Sequence, residues 1–195
     1  MKRSAEVKRK TKETDISVRV TIEGTGKAEA KTGVAFLDHM VHSLATHSLM
    51  DLTVNAKGDL MHHVVEDVAI TLGKAMASAL GDRVGIRRFG DAVVPMDDGL
   101  ALAAVDLVKR PYSVLDLKLE RVMVEDAPRE DLEHFFGSLA QALEATVHIK
   151  VLEGSNDHHK FEAAVKAFAL ALREAASEDP RRAKIKAPPS SKGSM

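Results

Sequence analysis

Cysteine is absent from the 195 residues, which excludes disulfide bonds and thiolate chemistry and leaves imidazole and carboxylate as the strong metal ligands. Net charge is nearly absent too. The formal balance is -1 at pH 7, so nothing points to an avid nucleic-acid or membrane partner, and any pull on a charged substrate must be local. No apolar run approaches the roughly 18 residues that a membrane span requires. The stretch from Met1 to Lys12 carries too many charges for a signal peptide, so residence in the cytoplasm is the expectation. With 45% hydrophobic and 29% charged residues, the chain can bury a core as one compact unit or as two fused half-size units.

The sequence is organised around a word that occurs twice. His62-His63-Val64-Val65-Glu66 returns in the second half as His158-His159-Lys160-Phe161-Glu162. Leu37-Asp38-His39-Met40 precedes the first copy, and Leu132-Glu133-His134-Phe135 precedes the second at nearly the same distance. On a helix, positions i and i+4 share a face, so His62 with Glu66, and His158 with Glu162, can each hold one ion. His63 and His159 point about 100° away from that face. Each of them is therefore expected to complete the opposite ion, so that every metal joins ligands from both repeats, with His39 and His134 filling one place on each.

The candidate ligands are thus His39, His62, His63, Glu66, His134, His158, His159 and Glu162. Neutral imidazole with carboxylate suits Mn, Fe, Co or Zn better than Mg or Ca. Divided equally, the set gives each ion three histidines and one glutamate. That would close a tetrahedral zinc site, whereas an octahedral ion would keep two positions open for substrate or water. The competing reading, that such histidines cap helices or satisfy core hydrogen bonds, is kept for His42 and His148, which lie outside the repeated word.

The elements around the two words follow the same order. Alternation over 16–22 predicts a strand, a second is expected at 28–32, and apolar spacing predicts a helix over 36–49. A short strand at 52–56 and a helix over 62–80, closed by Gly81, complete the first half. After a connector at 85–90 and an apolar stretch at 91–95 expected to pair at a sheet edge, strands are read at 100–108 and 112–119. A helix at 131–145, a strand at 147–152 and a helix at 158–176, ended by Pro180, follow. This predicts an α+β fold: a tandem duplication of a β-β-α-β-α half with helices packed on one face of each sheet. The pseudo-repeats would cover about 10–90 and 91–178 of a single domain. The tail 179–195 is polar and Pro-rich, so composition alone makes it disordered. The other reading is a segment that closes over a ligand.

Arg88 and Arg110 stand at loop-like positions where a guanidinium can grip a phosphate in two places, and Lys166 falls one helical turn after Glu162. Each alone is most often a solvated surface charge. In combination the words of this chain are more specific. Phe36-Leu37-Asp38-His39-Met40, His62-His63-Val64-Val65-Glu66-Asp67, Gly81-Asp82 with Gly85-Ile86-Arg87-Arg88-Phe89-Gly90, Pro95-Met96-Asp97-Asp98, Arg110-Pro111-Tyr112, Glu133-His134-Phe135-Phe136, Gly154-Ser155-Asn156-Asp157-His158-His159 and Ser190-Ser191-Lys192-Gly193 together resemble the imidazoleglycerol-phosphate dehydratase family of histidine biosynthesis. The resemblance runs from about Arg9 to Gly193, with no fused phosphatase domain. Asp98-Gly99 stands where the family usually has Glu-Ala, and Val165 where it usually has Phe.

The resemblance implies a duplicated α+β fold, two Mn2+ ions per site, and a homo-oligomer of 24 chains with active sites between subunits. It implies loss of water from imidazole glycerol phosphate to give imidazole acetol phosphate. The hydrogen removed lies on a carbon with no adjacent carbonyl, so the substrate imidazole must serve as the electron sink, and two metals gripping its ring nitrogens would favour an imidazolate. By the same resemblance Glu13 is a substrate-contacting acid/base carboxylate and His47 a substrate-site histidine. Arg88, Arg110, Lys166, Ser190 and Lys192 are phosphate contacts and Ser191 a further substrate-binding residue, which shifts the tail towards function. Two other readings stand beside this one. A dinuclear metallohydrolase would need metals about 3.5–4 Å apart. A metal-storage or metal-stabilised structural protein would leave the cationic set without a purpose.

Overall fold

The computed structural model describes residues 3–185 and 187–192. The first half runs β1 (Ser4–Lys10), β2 (Thr14–Thr21), β3 (Ala28–Lys31), α1 (Ala35–Ser48), β4 (Asp51–Gly58) and α2 (Met61–Leu80). The second runs β5 (Phe89–Met96), β6 (Gly99–Asp106), β7 (Tyr112–Asp116), the small hairpin β8 (Met123–Val124) and β9 (Ala127–Pro128), then α3 (Arg129–Leu143), β10 (Thr146–Glu153) and α4 (Asp157–Ala176). Each half closes a four-stranded sheet with one topology, β1-β2-β4-β3 and β5-β6-β10-β7. Two antiparallel pairings are followed in each by one parallel pairing, β3 on β4 and β7 on β10. A parallel pair needs a crossover, which α1 supplies in the first sheet and α3 in the second.

Alternation decides which face of each sheet is covered. In β2 the side chains of Thr14, Ile16, Val18 and Val20 are buried while Asp15 and Arg19 are exposed, and β6 buries Ala101, Ala103 and Val105 in the same rhythm. The four helices lie on these apolar faces and on one another, with α1 against α4 and α2 against α3. One continuous core therefore spans both halves. Gly73 sets the α2–α3 approach: a Cβ there would lie 2.7 Å from both the Ala142 Cβ and the Leu139 carbonyl oxygen. Arg83, 1% exposed, ties the halves further by donating to the last carbonyls of α3, Leu143 and Glu144.

The duplicated α+β organisation is as the sequence predicts, with helices on one face of each sheet. Each four-stranded sheet has one strand more than the predicted order, and the second half adds the β8–β9 hairpin. At β5 the excess strand is the expected edge-pairing stretch. At β1 it is new: its strand pattern is half-buried at best, with Ala5, Val7 and Arg9 facing the protein between exposed polar and charged residues. The last helix stops at Ala176, as predicted, and 177–179 leaves to run beside 85–87 through Arg87 N to Ser177 O and Asp179 N to Gly85 O. Of the tail expected at 179–195, Lys186 and 193–195 lie outside the described residues. No helix among the described residues is long and apolar enough to cross a membrane.

Candidate metal and active site

The crossing of α1 on α4 carries His39 onto the second repeated word. His39 Nε2 lies 3.3 Å, and His158 Nε2 3.1 Å, from the same oxygen of Glu162. The three ligand atoms fall within 4.8 Å of one another. Bonds of about 2.1 Å meeting near a right angle place two ligand atoms about 3 Å apart, so this donor set fits a first-row ion. The other oxygen of Glu162 accepts from Lys166 Nζ at 2.9 Å. Burial pushes the Glu162 carboxyl up, but Lys166 and then His39 more than offset it and hold the group below its usual value, hence anionic.

The crossing of α2 on α3 repeats the histidine pairing with the repeats exchanged, without gathering a third ligand atom as closely. His134 on α3 comes to His62 on α2, ring centroids 5.8 Å apart, and Glu66 stands one turn after His62. Each pairing thus joins side chains from both repeats. His63 and His159 do not join them: among the described residues the only group of three placed to hold an ion is His39, His158 and Glu162.

All four histidines of the repeated word are held in one way. Nδ1 bonds a carboxylate, at 2.6 Å for His62 on Asp131, 2.8 Å for His63 on Asp59, 3.0 Å for His158 on Glu125 and 2.5 Å for His159 on Asp98. A carboxylate accepting at Nδ1 fixes the ring and leaves the Nε2 lone pair for a metal. The bonds to Asp131 and Asp59 raise the proton affinity of His62 and His63. Of these four carboxylates the sequence singled out only Asp98, as a departure from the family pattern and not as a partner of His159. Asp59, four residues before His63, carried a usable signal; Glu125 and Asp131 are brought in only by the fold.

The residues expected at the substrate end are distributed around these groups. His47, in the last turn of α1, has its proton affinity lowered by burial and then by the Lys166 charge. Glu13 is exposed in the β1–β2 turn, where its charge acts on His63. That turn is pinned to α2, as Thr14 Oγ1 and Arg9 Nε both donate to the buried Asp67 carboxylate. Arg88 is held by Asp106 and by the Pro189 carbonyl, next to Ser190, whose hydroxyl accepts from Lys192 N. Arg110, Ser191 and Lys192 are exposed.

A duplicated α+β fold whose facing helices bring histidines of one repeat onto the repeated word of the other, with one histidine–carboxylate cluster that could hold a metal ion, defines the class of protein. The chain belongs to the imidazoleglycerol-phosphate dehydratase family. The family model, described as imidazoleglycerol-phosphate dehydratase, matches residues 32–172. The chain is 50% identical over 194 residues to the imidazoleglycerol-phosphate dehydratase of Dehalococcoides mccartyi strain 195, covering 100% of this chain and 98% of that one. It is 49% identical over 177 residues to that of Chloroherpeton thalassium, covering 89% and 91%. The crystal structure of IGPD from Pyrococcus furiosus in complex with (S)-C348 superposes with a TM-score of 0.83 at 40% identity, covering 97% of this chain and 100% of that one.

The two departures from the family pattern have physical counterparts. Asp98 sits at the β5–β6 tip, where Gly99 lets backbone approach backbone: a Cβ on it would lie 2.9 Å from the His159 carbonyl. Val165 is buried beside a small apolar cavity of about 10 Å³ that Met40, Phe135, Phe136 and Phe168 also line.

Proposed function

We propose that the chain removes water from imidazole glycerol phosphate to give imidazole acetol phosphate, in cytoplasmic histidine biosynthesis, as a manganese-dependent hydro-lyase. The observation that carries the reading is the pair of helix crossings, each bringing a histidine of one repeat to the repeated word of the other. Family membership supports it. His39, His158 and Glu162 would hold one ion, and His62, His134 and Glu66 the second. His63 and His159, which join neither group within the chain, would complete ions on neighbouring copies. Active sites would therefore lie between subunits, in an assembly of 24 chains. Bound manganese would supply positive charge at the substrate's ring nitrogens, which makes that ring an electron sink.

The chain's own groups then divide the remaining work. Glu13, beside His63, takes the role of a carboxylate that accepts or returns the substrate's proton. His47, kept neutral by burial, contacts the substrate without adding charge. Arg88, Arg110, Lys166, Ser190 and Lys192 hold the phosphate by charge-assisted bonds, Ser191 adds a further substrate contact, and together they fix the reacting carbon relative to Glu13. The domain is one unit of two repeats, about 10–90 and 91–178, with 179–195 closing on the bound phosphate. The test is direct. The purified, manganese-loaded protein should form imidazole acetol phosphate, and a chelator should abolish the reaction. Absence of product from loaded, assembled protein overturns the proposal.

A further inference from the structure

We infer that Asp106 is a positioning residue, fixing the Arg88 guanidinium so that one side chain holds both the carboxy-terminal segment and an anion. The inference rests on Arg88 as a phosphate contact, part of the function proposed above. Both Asp106 oxygens accept from Arg88, from Nε at 2.7 Å and Nη2 at 3.0 Å, and Nη1 donates to the Pro189 carbonyl at 2.7 Å. A guanidinium has five N–H groups in a fixed fork. These three bonds leave one on each terminal nitrogen, enough for a two-point grip on a phosphate.

The backbone is arranged to keep that side chain in place. Arg88 adopts φ 75, a left-handed conformation that costs a non-glycine residue energy and persists only where neighbours enforce it. The enforcement is visible: Arg88 N donates to Ala175 O, and its carbonyl accepts from Leu107 N. The Phe89 ring packs 4.6 Å from the guanidinium. The segment 85–88 also holds the start of the tail, at Ser177 and Asp179, through its main chain. The tail is thus attached twice to the same few residues, by backbone at its beginning and by the Arg88 fork at Pro189, which is buried. An anion that orders Arg88 further orders Pro189 with it, and Asp106 sets the geometry of both.

A counter-charge and a positioning group predict opposite results for Asp106→Asn. The amide keeps the shape but loses the charge and one acceptor, so the fork is broken. A mere counter-charge, once removed, would leave Arg88 more positive and tighten anion binding. Positioning predicts a KM raised about tenfold, with kcat falling less, and faster trypsin cleavage at the exposed Arg182 and Lys184. In the unaltered protein, inorganic phosphate should slow that cleavage; in Asp106→Asn the protection should be lost. Asp106→Glu, which keeps both oxygens, should restore it in part. Arg88→Lys, which cannot form the fork, should behave as Asp106→Asn and serves if that variant does not fold. Protection unchanged in Asp106→Asn, tighter phosphate binding, or no protection of the unaltered protein each overturns the inference. Cleavage needs no turnover, so these outcomes are separate from a failure of the dehydratase assay.

Discussion

Gly99 is the position at which a single methyl group should be felt at His159, a metal ligand under the proposed function. A Cβ there would lie 2.9 Å from both the carbonyl carbon and oxygen of His159 and 3.1 Å from the Met96 carbonyl oxygen. All three are backbone atoms, so no rotamer change relieves the contact. The β5–β6 tip must retreat by about 0.5 Å to reach ordinary carbon contact. Asp98 moves with it. Its bond to His159 Nδ1, 2.5 Å long, would lengthen to about 3 Å, and its bonds to Ser155 and Asn156 would loosen together. Overpacking of this kind costs about 1–3 kcal/mol. Loss of a carboxylate behind a metal-binding histidine costs about 10–100-fold in metal affinity, so loosening it should cost about tenfold. Gly99→Ala should therefore lower the urea midpoint and release manganese to a competing chelator about tenfold more readily. Asp98→Glu/Gly99→Ala should recover most of the retention, because the longer side chain spans the gap that the methyl opens. If Gly99→Ala keeps manganese as tightly as the parent, or the double variant is no better than the single, close approach at Gly99 is not what orients His159.

Three other outcomes are expected. Asp157 and Lys160 form a buried pair, 2% and 1% exposed at their side chains, so Asp157→Ala should cost about 3 kcal/mol in urea titration by leaving the ammonium only the Lys118 carbonyl and the more distant Glu120. It also frees the 120–121 backbone that Asp157 anchors, and combining it with Lys160→Met should restore much of the loss. Val165→Leu should gain up to about 0.8 kcal/mol by placing one methylene in the cavity beside Phe168, and a lowered melting temperature would show that the space cannot take it. Chelation should shrink the particle if neighbouring copies share metal through His63 and His159; an unchanged mass by light scattering separates metal from assembly.

Much of this protein is legible locally. The period of two in β2 and the 3.6-residue period of the helices fix element type and the face each side chain occupies. The repeated word, with His39 and His134 at matching distances before it, marks the candidate ligand set and the duplication together. The strand β1 escaped notice because an edge strand carries little apolar signal. The carboxylates behind the histidines escaped because their partners are remote in sequence, as Asp131 is from His62, 69 residues away.

What the sequence by itself determined is the order of the helices and of the strands other than β1, β8 and β9, the duplication, and the two faces on which the repeated histidines and glutamates stand. It could not say which helix would meet which. Only the tertiary structure decided that α1 lies on α4 and α2 on α3, pairing His39 with His158 and Glu162, and His134 with His62. It also decided that His63 and His159 stay outside both groups in a single chain. The reason is physical: periodicity reports the face of an element relative to its own axis, whereas which faces meet is settled by burying two apolar sheets against one shared layer of helices.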